Sequence, residues 1–195
     1  MLIIKHRVNS LESLVSLSSD FGVEVDLHFN DSSICVGHDP FDLDTTFDDY
    51  LDNFHHRFLA VNIKEEGIES MVFDSLKKHR IDQFFLFDLS FPSLMRIVRT
   101  GERRMALRMS DFERIENVAH FQDKVDWIWL DTFQTTNHLS DSFFNILANF
   151  QICVVSPELH VDRDEVHSIK IRDALLQFKD SFQAVCTKNE QLWQK

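Results

Sequence analysis

The sequence holds little that breaks or bends a chain: four glycines and three prolines in 195 residues, with no Ser/Gly/Pro-rich stretch. That excludes an internal linker and points to one domain over 1–195. Cysteine is equally scarce. Cys35, Cys153 and Cys186 are an odd set, none in a Cys-x-x-Cys pair and each inside a short apolar run, so a disulfide framework and a thiolate zinc site are excluded and buried thiols are expected. Positive charge is in deficit, with 20 Lys+Arg against 32 Asp+Glu and a net charge of −12. A broad electrostatic hold on nucleic acid or anionic lipid is therefore not expected, although a local cationic pocket is compatible with that total. Long hydrophobic runs are missing too. Leu2-Ile3-Ile4 is cut by Lys5-His6-Arg7, and nothing later approaches the roughly 20 apolar residues of a membrane span, so the expectation is a cytoplasmic protein with no membrane anchor.

What the chain does contain is a repeated alternation. Apolar runs rich in β-branched and aromatic residues occur at 2–6, 22–28, 58–64, 83–88, 104–109, 126–131, 151–156 and 182–187, which predicts eight strands. Between them lie helical spacings such as Leu11/Leu14/Val15, Ile68/Met71/Val72/Leu76 and Leu94/Ile97/Val98. Asn9-x-x-Glu12 and Ser110-x-x-Glu113 read as capping boxes, and Ser90 with Pro92 marks a third helix start. Parallel strands alternating with helices, repeated eight times, predict an α/β fold, a small (β/α)8 TIM barrel. The length lies below the usual minimum of roughly 200 residues, so the helices must be short. The stretch 30–57 departs from the rhythm: Ser33-Ile34-Cys35-Val36 predicts a hairpin on the second strand, and the acidic run 42–52 a solvated loop or helix face.

The second strand reads Val23-Glu24-Val25-Asp26-Leu27-His28, so period two places Glu24, Asp26 and His28 on one face. Two carboxylates ~5 Å apart repel by about 3 kcal/mol at an effective dielectric of ~20, which a divalent cation relieves. In such a barrel the C-terminal strand ends converge on one mouth. Here those ends carry His6-Arg7, Glu24/Asp26, Asn62 with Lys64, Asp88, Arg108 with Ser110, Asp131, Glu158 and Thr187-Lys188. Imidazoles, carboxylates and cations together suit phosphodiester chemistry, with charge neutralisation at the phosphoryl oxygens and histidines as acid and base. The remaining histidines, His55, His56, His79, His120, His138, His160 and His167, show no metal-ligand spacing and are read as surface residues. Glu158 is read as either a turn residue or a substrate contact.

The order His6-Arg7, Asn9-x-x-Glu12, Glu24-Val25-Asp26 and His38-Asp39 resembles the signature of the glycerophosphodiester phosphodiesterase family, whose scaffold phospholipase-C-like barrels and sphingomyelinase D toxins share. Val61-Asn62-Ile63-Lys64 and Val185-Cys186-Thr187 resemble its later strands more weakly. The resemblance implies a metal-dependent phosphodiester hydrolase acting on a small-molecule phosphodiester of the glycerophosphodiester type, yielding an alcohol and a glycerol phosphate. It implies His6 and His38 as general acid and base, and Arg7 and Lys64 as phosphate-binding cations. It further implies Glu24 and Asp26, with Asn62 at the third position, as ligands of Mg2+ or Ca2+. The chain departs from the pattern at Val8, where the family has Gly, at Asn62, where it has an acid, and at Lys188, where it has Asp; Asp88 is a candidate to compensate. Those departures leave open a barrel that binds a phosphorylated ligand without turnover, and a lyase that stops at a cyclic phosphate.

Overall fold

A computed structural model describes residues 1–160 and 164–193. The chain groups into two compact units, Ile4–Thr100 on one side and Met1–Ile3 with Gly101–Lys195 on the other. Each of the eight predicted runs contains a strand, and the strands pair in parallel within two sets, the runs at 2–6, 22–28, 58–64 and 83–88 in one and those at 104–109, 126–131, 151–156 and 182–187 in the other.

In the unit Ile4–Thr100 the order is the second half of β1 (Leu2–Lys5), then α1 (Leu11–Ser16), β2 (Gly22–Asn30), β3 (Ser33–Val36), β4 (Thr45–Thr46), α2 (Phe47–Asp52), β5 (Leu59–Ile63), α3 (Glu69–Lys78), β6 (Phe84–Phe87) and α4 (Phe91–Val98). Strand β2 organises it. Along one edge its start pairs with β1 in parallel, Ile4↔Gly22, and its end pairs with β3 as the predicted antiparallel hairpin, Leu27↔Val36. Along the other edge β5 runs parallel from Val23↔Leu59 to Leu27↔Ile63. Val23, Val25 and Leu27 then share a core with Leu59, Val61, Leu86, Val72 and Leu76, all buried. The acidic run 42–52 becomes α2, capped by Thr46, whose hydroxyl accepts the Asp49 N–H at 3.1 Å. Its apolar side, Phe47, Tyr50 and Leu51, is buried while Asp49 and Asp52 face solvent. The start of α4 is as predicted, with Ser90 accepting from Ser93 N–H. The start of α1 is not. Ser10, not Asn9, is the cap, its hydroxyl accepting Ser13 N–H at 3.2 Å, because the Asn9 side chain is engaged elsewhere, as described below.

The other unit repeats the strand-helix rhythm: β7 (Ala106–Met109), α5 (Ile115–Ala119), β8 (Trp127–Leu130), α6 (Asp141–Ile146), β9 (Gln151–Val155), α7 (Glu165–Leu176) and β10 (Ala184–Thr187). The strands pair in parallel in the order β7-β8-β9-β10, and Leu2 N–H donates to Gln183 O at 2.8 Å. Ile128, Leu130, Ile152, Val154, Leu175 and Val185 form its core. The predicted capping box at Ser110 is a correction: the Ser110 hydroxyl meets the Glu113 carboxylate directly, and α5 begins only after Arg114. The three thiols are free and buried, as expected. Of the histidines read as surface residues, His55, His120 and His167 are exposed, whereas His56, His79, His138 and His160 are half-buried. His79 is drawn in by bonding Ser75 O at 2.9 Å and lying 3.2 Å from Asp52. Among the described residues no helix is long and apolar enough to cross a membrane.

Candidate functional site

The pleat of β2 alone places Glu24, Asp26 and His28 opposite its core-facing valines, and all three polar residues are nonetheless buried, at 1%, 0% and 7% exposure. Buried charge requires partners. They come from the loops that follow β1, β3 and β5 within the same unit.

After β1 the chain turns through Arg7 in the left-handed region, φ 54°, a conformation that costs a non-glycine residue about 1 kcal/mol or more. The turn aims the Arg7 N–H at Glu24 Oε2, 2.6 Å away, and leaves His6 Nε2 3.8 Å from the same oxygen. Val8 N–H donates to Glu24 O at 2.8 Å, and the buried Tyr50 hydroxyl donates to Val8 O at 2.8 Å, so α2 fixes this loop from behind. Asn9 then clamps Asp26 twice: its Oδ1 accepts the Asp26 N–H at 2.9 Å and its Nδ2 donates to Asp26 Oδ2 at 2.7 Å.

After β3, Gly37 N–H donates to Asp26 O at 3.1 Å, which sets His38 Nδ1 3.3 Å from Asp26 Oδ2. Gly37 has no room for a side chain, since a Cβ there would lie 2.6 Å from Asp42 O. After β5, Lys64 N–H donates to Leu27 O at 3.1 Å and its Nζ reaches 3.0 Å from Asp26 Oδ1, while Arg7 Nε lies 4.0 Å from Oδ2. Asn62 is the register partner of Asp26 on β5, is buried, and its Oδ1 has no hydrogen-bond partner among the described residues. His28 ties the two loops together, with Nδ1 2.9 Å from Glu65 Oε1 and Nε2 3.4 Å from His38 O. Asp88 lies just beyond β6, exposed and in left-handed backbone, φ 57°.

The electrostatics of the two carboxylates diverge. Burial, and then the Asp26 charge beside it, push Glu24 up to about 8, against the smaller pull of the Arg7 N–H, Lys64 and Arg7. Burial also pushes Asp26 up, but the Asn9 amide, the Lys64 ammonium and the His38 imidazole outweigh it and hold the carboxyl below its ordinary value. The environment thus pushes the two neighbouring carboxyls in opposite directions. As a site for a hard cation the donor set is lean. Among the described residues no three His, Cys, Asp or Glu side chains are grouped for a metal, and both Asp26 oxygens already face donors. The orphaned Asn62 Oδ1 and the buried Glu24 carboxyl beside the Asp26 charge are what a divalent cation would satisfy, so the set fits Mg2+ or Ca2+ weakly.

Compared with solved structures, the chain resembles a glycerophosphodiester phosphodiesterase from Agrobacterium tumefaciens at a TM-score of 0.68 and 11% identity, over 98% of each chain. An Oleispira antarctica phosphodiesterase in complex with the product sn-glycerol-3-phosphate matches at 0.65 and 15% identity, over 96% of this chain and 93% of that one. The tryptophan synthase α subunit of Campylobacter jejuni matches at 0.59 and 13% identity, over 95% and 86%. The fold is that of a TIM barrel. No family model matches the chain and no curated protein matches its sequence.

His6, Arg7, Glu24, Asp26, His38, Asn62 and Lys64, the residues singled out in the sequence, therefore all belong to one unit, and His6, Arg7, His38 and Lys64 each lie within 4.0 Å of a Glu24 or Asp26 carboxylate oxygen. Sequence reasoning missed Asn9 as a clamp, Tyr50 as a support and the His28–Glu65 strut. Only His28 was signalled, by its phase on β2. Glu158 lies in the short turn Pro157–Leu159 after β9, where its carboxylate accepts from the Thr187 hydroxyl at 2.5 Å and from Lys188 N–H at 3.3 Å, and also bonds Ser156 Oγ.

Proposed function

We propose that this chain is a metal-dependent phosphodiester hydrolase acting on glycerophosphodiester-type substrates, releasing an alcohol and a glycerol phosphate in the cytoplasm. The observation that carries this reading is the meeting of two imidazoles and two cations around one buried carboxylate pair. The Oleispira antarctica enzyme, which shares the fold, holds sn-glycerol-3-phosphate, and this supports the ligand class. Free buried thiols accord with a reducing compartment.

Arg7 and Lys64 hold the phosphate oxygens. One of His6 and His38 takes the proton of the substrate's neighbouring hydroxyl as its oxygen bonds to phosphorus, and the other gives a proton to the alcohol as its phosphorus–oxygen bond breaks. Water then adds to phosphorus with the proton transfers reversed, and the ring phosphorus–oxygen bond opens. A divalent cation bound by Glu24, Asp26 and Asn62 would supply neutralisation of the non-bridging oxygens.

The test is hydrolysis of glycerophosphodiesters with Mg2+, with Ca2+ and with chelator, in the wild type and in His6→Ala and His38→Ala. Removing either imidazole should cost about 10²–10⁴-fold in rate. Chelator-insensitive turnover, or full activity in both variants, overturns the reading, and accumulation of a cyclic phosphate identifies a lyase. A second reading has its own support: Asn62 in place of an acid, with Lys64, His38 and Asn9 already on Asp26, suits a barrel that binds a phosphorylated ligand and leaves it intact. Saturable binding of sn-glycerol-3-phosphate without any hydrolysis under all metal conditions would select it.

A further inference from the structure

The helix that props the loop after β1 is itself fastened to its neighbour through one imidazole. Helix α2 carries Tyr50, whose hydroxyl donates to Val8 O, and α3 ends at His79. The His79 side chain is only 10% exposed and faces both helices. Its Nδ1 lies 2.9 Å from Ser75 O, a carbonyl in the last turn of α3, and 3.6 Å from Asp48 Oδ1 on α2. Its Nε2 lies 3.2 Å from Asp52 Oδ1, one turn further along α2.

Every one of those neighbours is an acceptor. A neutral imidazole has one N–H and one lone pair, so it satisfies one side of this arrangement and turns a lone pair toward the other; only the imidazolium donates from both nitrogens. The charge count agrees. Asp48 and Asp52 bring two negative charges to the ring, and Lys78, with Nζ 2.6 Å from Asp48 Oδ2, returns one positive charge. The Lys78 ammonium holds the Asp48 carboxyl below its ordinary value, so that carboxylate is ionised at neutral pH. A protonated His79 supplies the second positive charge, at the helix end where the α3 dipole favours a cation. The other charged groups nearby are Lys77 and Arg80 on the same stretch and Asp49 on α2. All three are exposed, and Asp49 accepts from the Thr46 hydroxyl at 2.6 Å. Behind α2, the charge that reaches Tyr50 is that of Glu24 on β2.

We infer that His79 is a proton-operated clamp, which as the imidazolium ties the end of α3 to both ends of α2 and on losing its proton releases α2, the support of the loop that carries His6, Arg7 and Asn9. The stabilisation is present when the ring is charged and is lost as the pH rises. The inference does not depend on the phosphodiesterase reading, because it concerns the attachment of α2 and is read without any substrate.

An NMR titration of the full chain from about pH 5.5 to about pH 8.5 tests it, since an imidazole changes charge within that range. The His79 Cε1–H signal and the Leu51 and Asn53 amide signals should move together with one midpoint. Protection of those amides against hydrogen exchange, corrected for the intrinsic rate, should fall about threefold or more across the range. His79→Gln keeps a donor for Ser75 O and removes the titration; it should abolish both responses while circular dichroism shows the wild-type fold. Asp52→Asn, at a position 70% exposed, removes one of the two carboxylates and should shrink the loss of protection. Amides of α2 that do not follow the His79 ring overturn the inference, as does an unchanged response in Asp52→Asn. So does a response that persists in His79→Gln, which would assign it to Glu24 beneath Tyr50 or to His55 and His56 beyond the end of α2.

Discussion

Asn9 and Ser10 stand side by side at the start of α1, and replacing each in turn separates two accounts of that loop. Ser10→Ala removes one hydroxyl that accepts Ser13 N–H at 3.2 Å, the ordinary loss of a helix cap, about 1 kcal/mol. Asn9→Ala removes two bonds at once. The Asp26 N–H, on a residue with 0% exposure, loses its acceptor, and an unsatisfied buried donor costs about 1–3 kcal/mol. Asp26 Oδ2 loses a donor at 2.7 Å, a charge-assisted bond of about 1.5–3 kcal/mol. Asn9 itself is half-buried, so water recovers part of the loss, and the net is about 3 kcal/mol.

At roughly 2–4 °C per kcal/mol for a chain of this length, Asn9→Ala should lower Tm by about 6–12 °C and Ser10→Ala by about 2–4 °C. Circular dichroism is the suitable probe for melting, because Trp127, Trp129 and Trp193 all lie in the other unit. Hydrogen exchange gives the local readout: the Asp26 amide should exchange markedly faster in Asn9→Ala and unchanged in Ser10→Ala. Asn9→Asp should be worse than Asn9→Ala, since it sets a second carboxylate against a buried one. Were Ser10→Ala the costlier change, or Asn9→Ala to cost less than about 1 kcal/mol, Asn9 would be no clamp and the positioning of Asp26 would need another cause.

Three other changes have definite expected outcomes. Gly37→Ala forces a Cβ to within 2.6 Å of Asp42 O and 2.7 Å of Leu43 Cδ2; it should cost about 1–3 kcal/mol in urea unfolding and, by shifting the adjacent His38, lower the rate of phosphodiester hydrolysis by more than the folded fraction falls. Tyr50→Phe leaves Val8 O without its buried donor and should cost about 1–2 kcal/mol in the same assay. Asp111 is pushed up by burial, but the backbone N–H groups of Phe133, Gln134 and Thr135 outweigh this and hold it below its ordinary 3.8. Its stabilisation is therefore present above pH 3.8 and is lost as the pH falls through the depressed native value. Asp111→Ala should cost about 1–2 kcal/mol at pH 7, after allowance for its partial exposure, and progressively less in acid; a difference that stays constant down to pH 2 would refute this.

How much of this was legible in the sequence follows from which interactions are local. The eight strands were readable because each apolar run is short, β-branched or aromatic and polar-ended, and parallel strands buried on both faces have no other way to look. Glu24 and Asp26 were readable as neighbours because a pleat fixes residues two apart regardless of what surrounds them. Asn62 was named only through the family resemblance, and the parallel pairing of β2 with β5 is what sets residue 62 beside residue 26. What could not be read was any choice between two chemically adequate neighbours. Asn9 and Ser10 can both cap a helix, and only the presence of Asp26, seventeen residues on, takes Asn9 away from that task. Ser110 and Glu113 have the spacing of a capping box, yet they bond to each other, side chain to side chain, and the helix starts later. Glu158 was readable as a turn residue or a substrate contact, and its bonds to Thr187 and Lys188, about thirty residues away, carried no local signal. In each case the local signal is real and the long-range partner is stronger, because a buried carboxylate left unsatisfied costs more than an exposed helix end left uncapped. The same inequality explains why these loops are ordered around Asp26: Asn9, His38 and Lys64, which follow β1, β3 and β5, each set a group on its carboxylate, and the loop that carries Asn9 also brings His6 to Glu24.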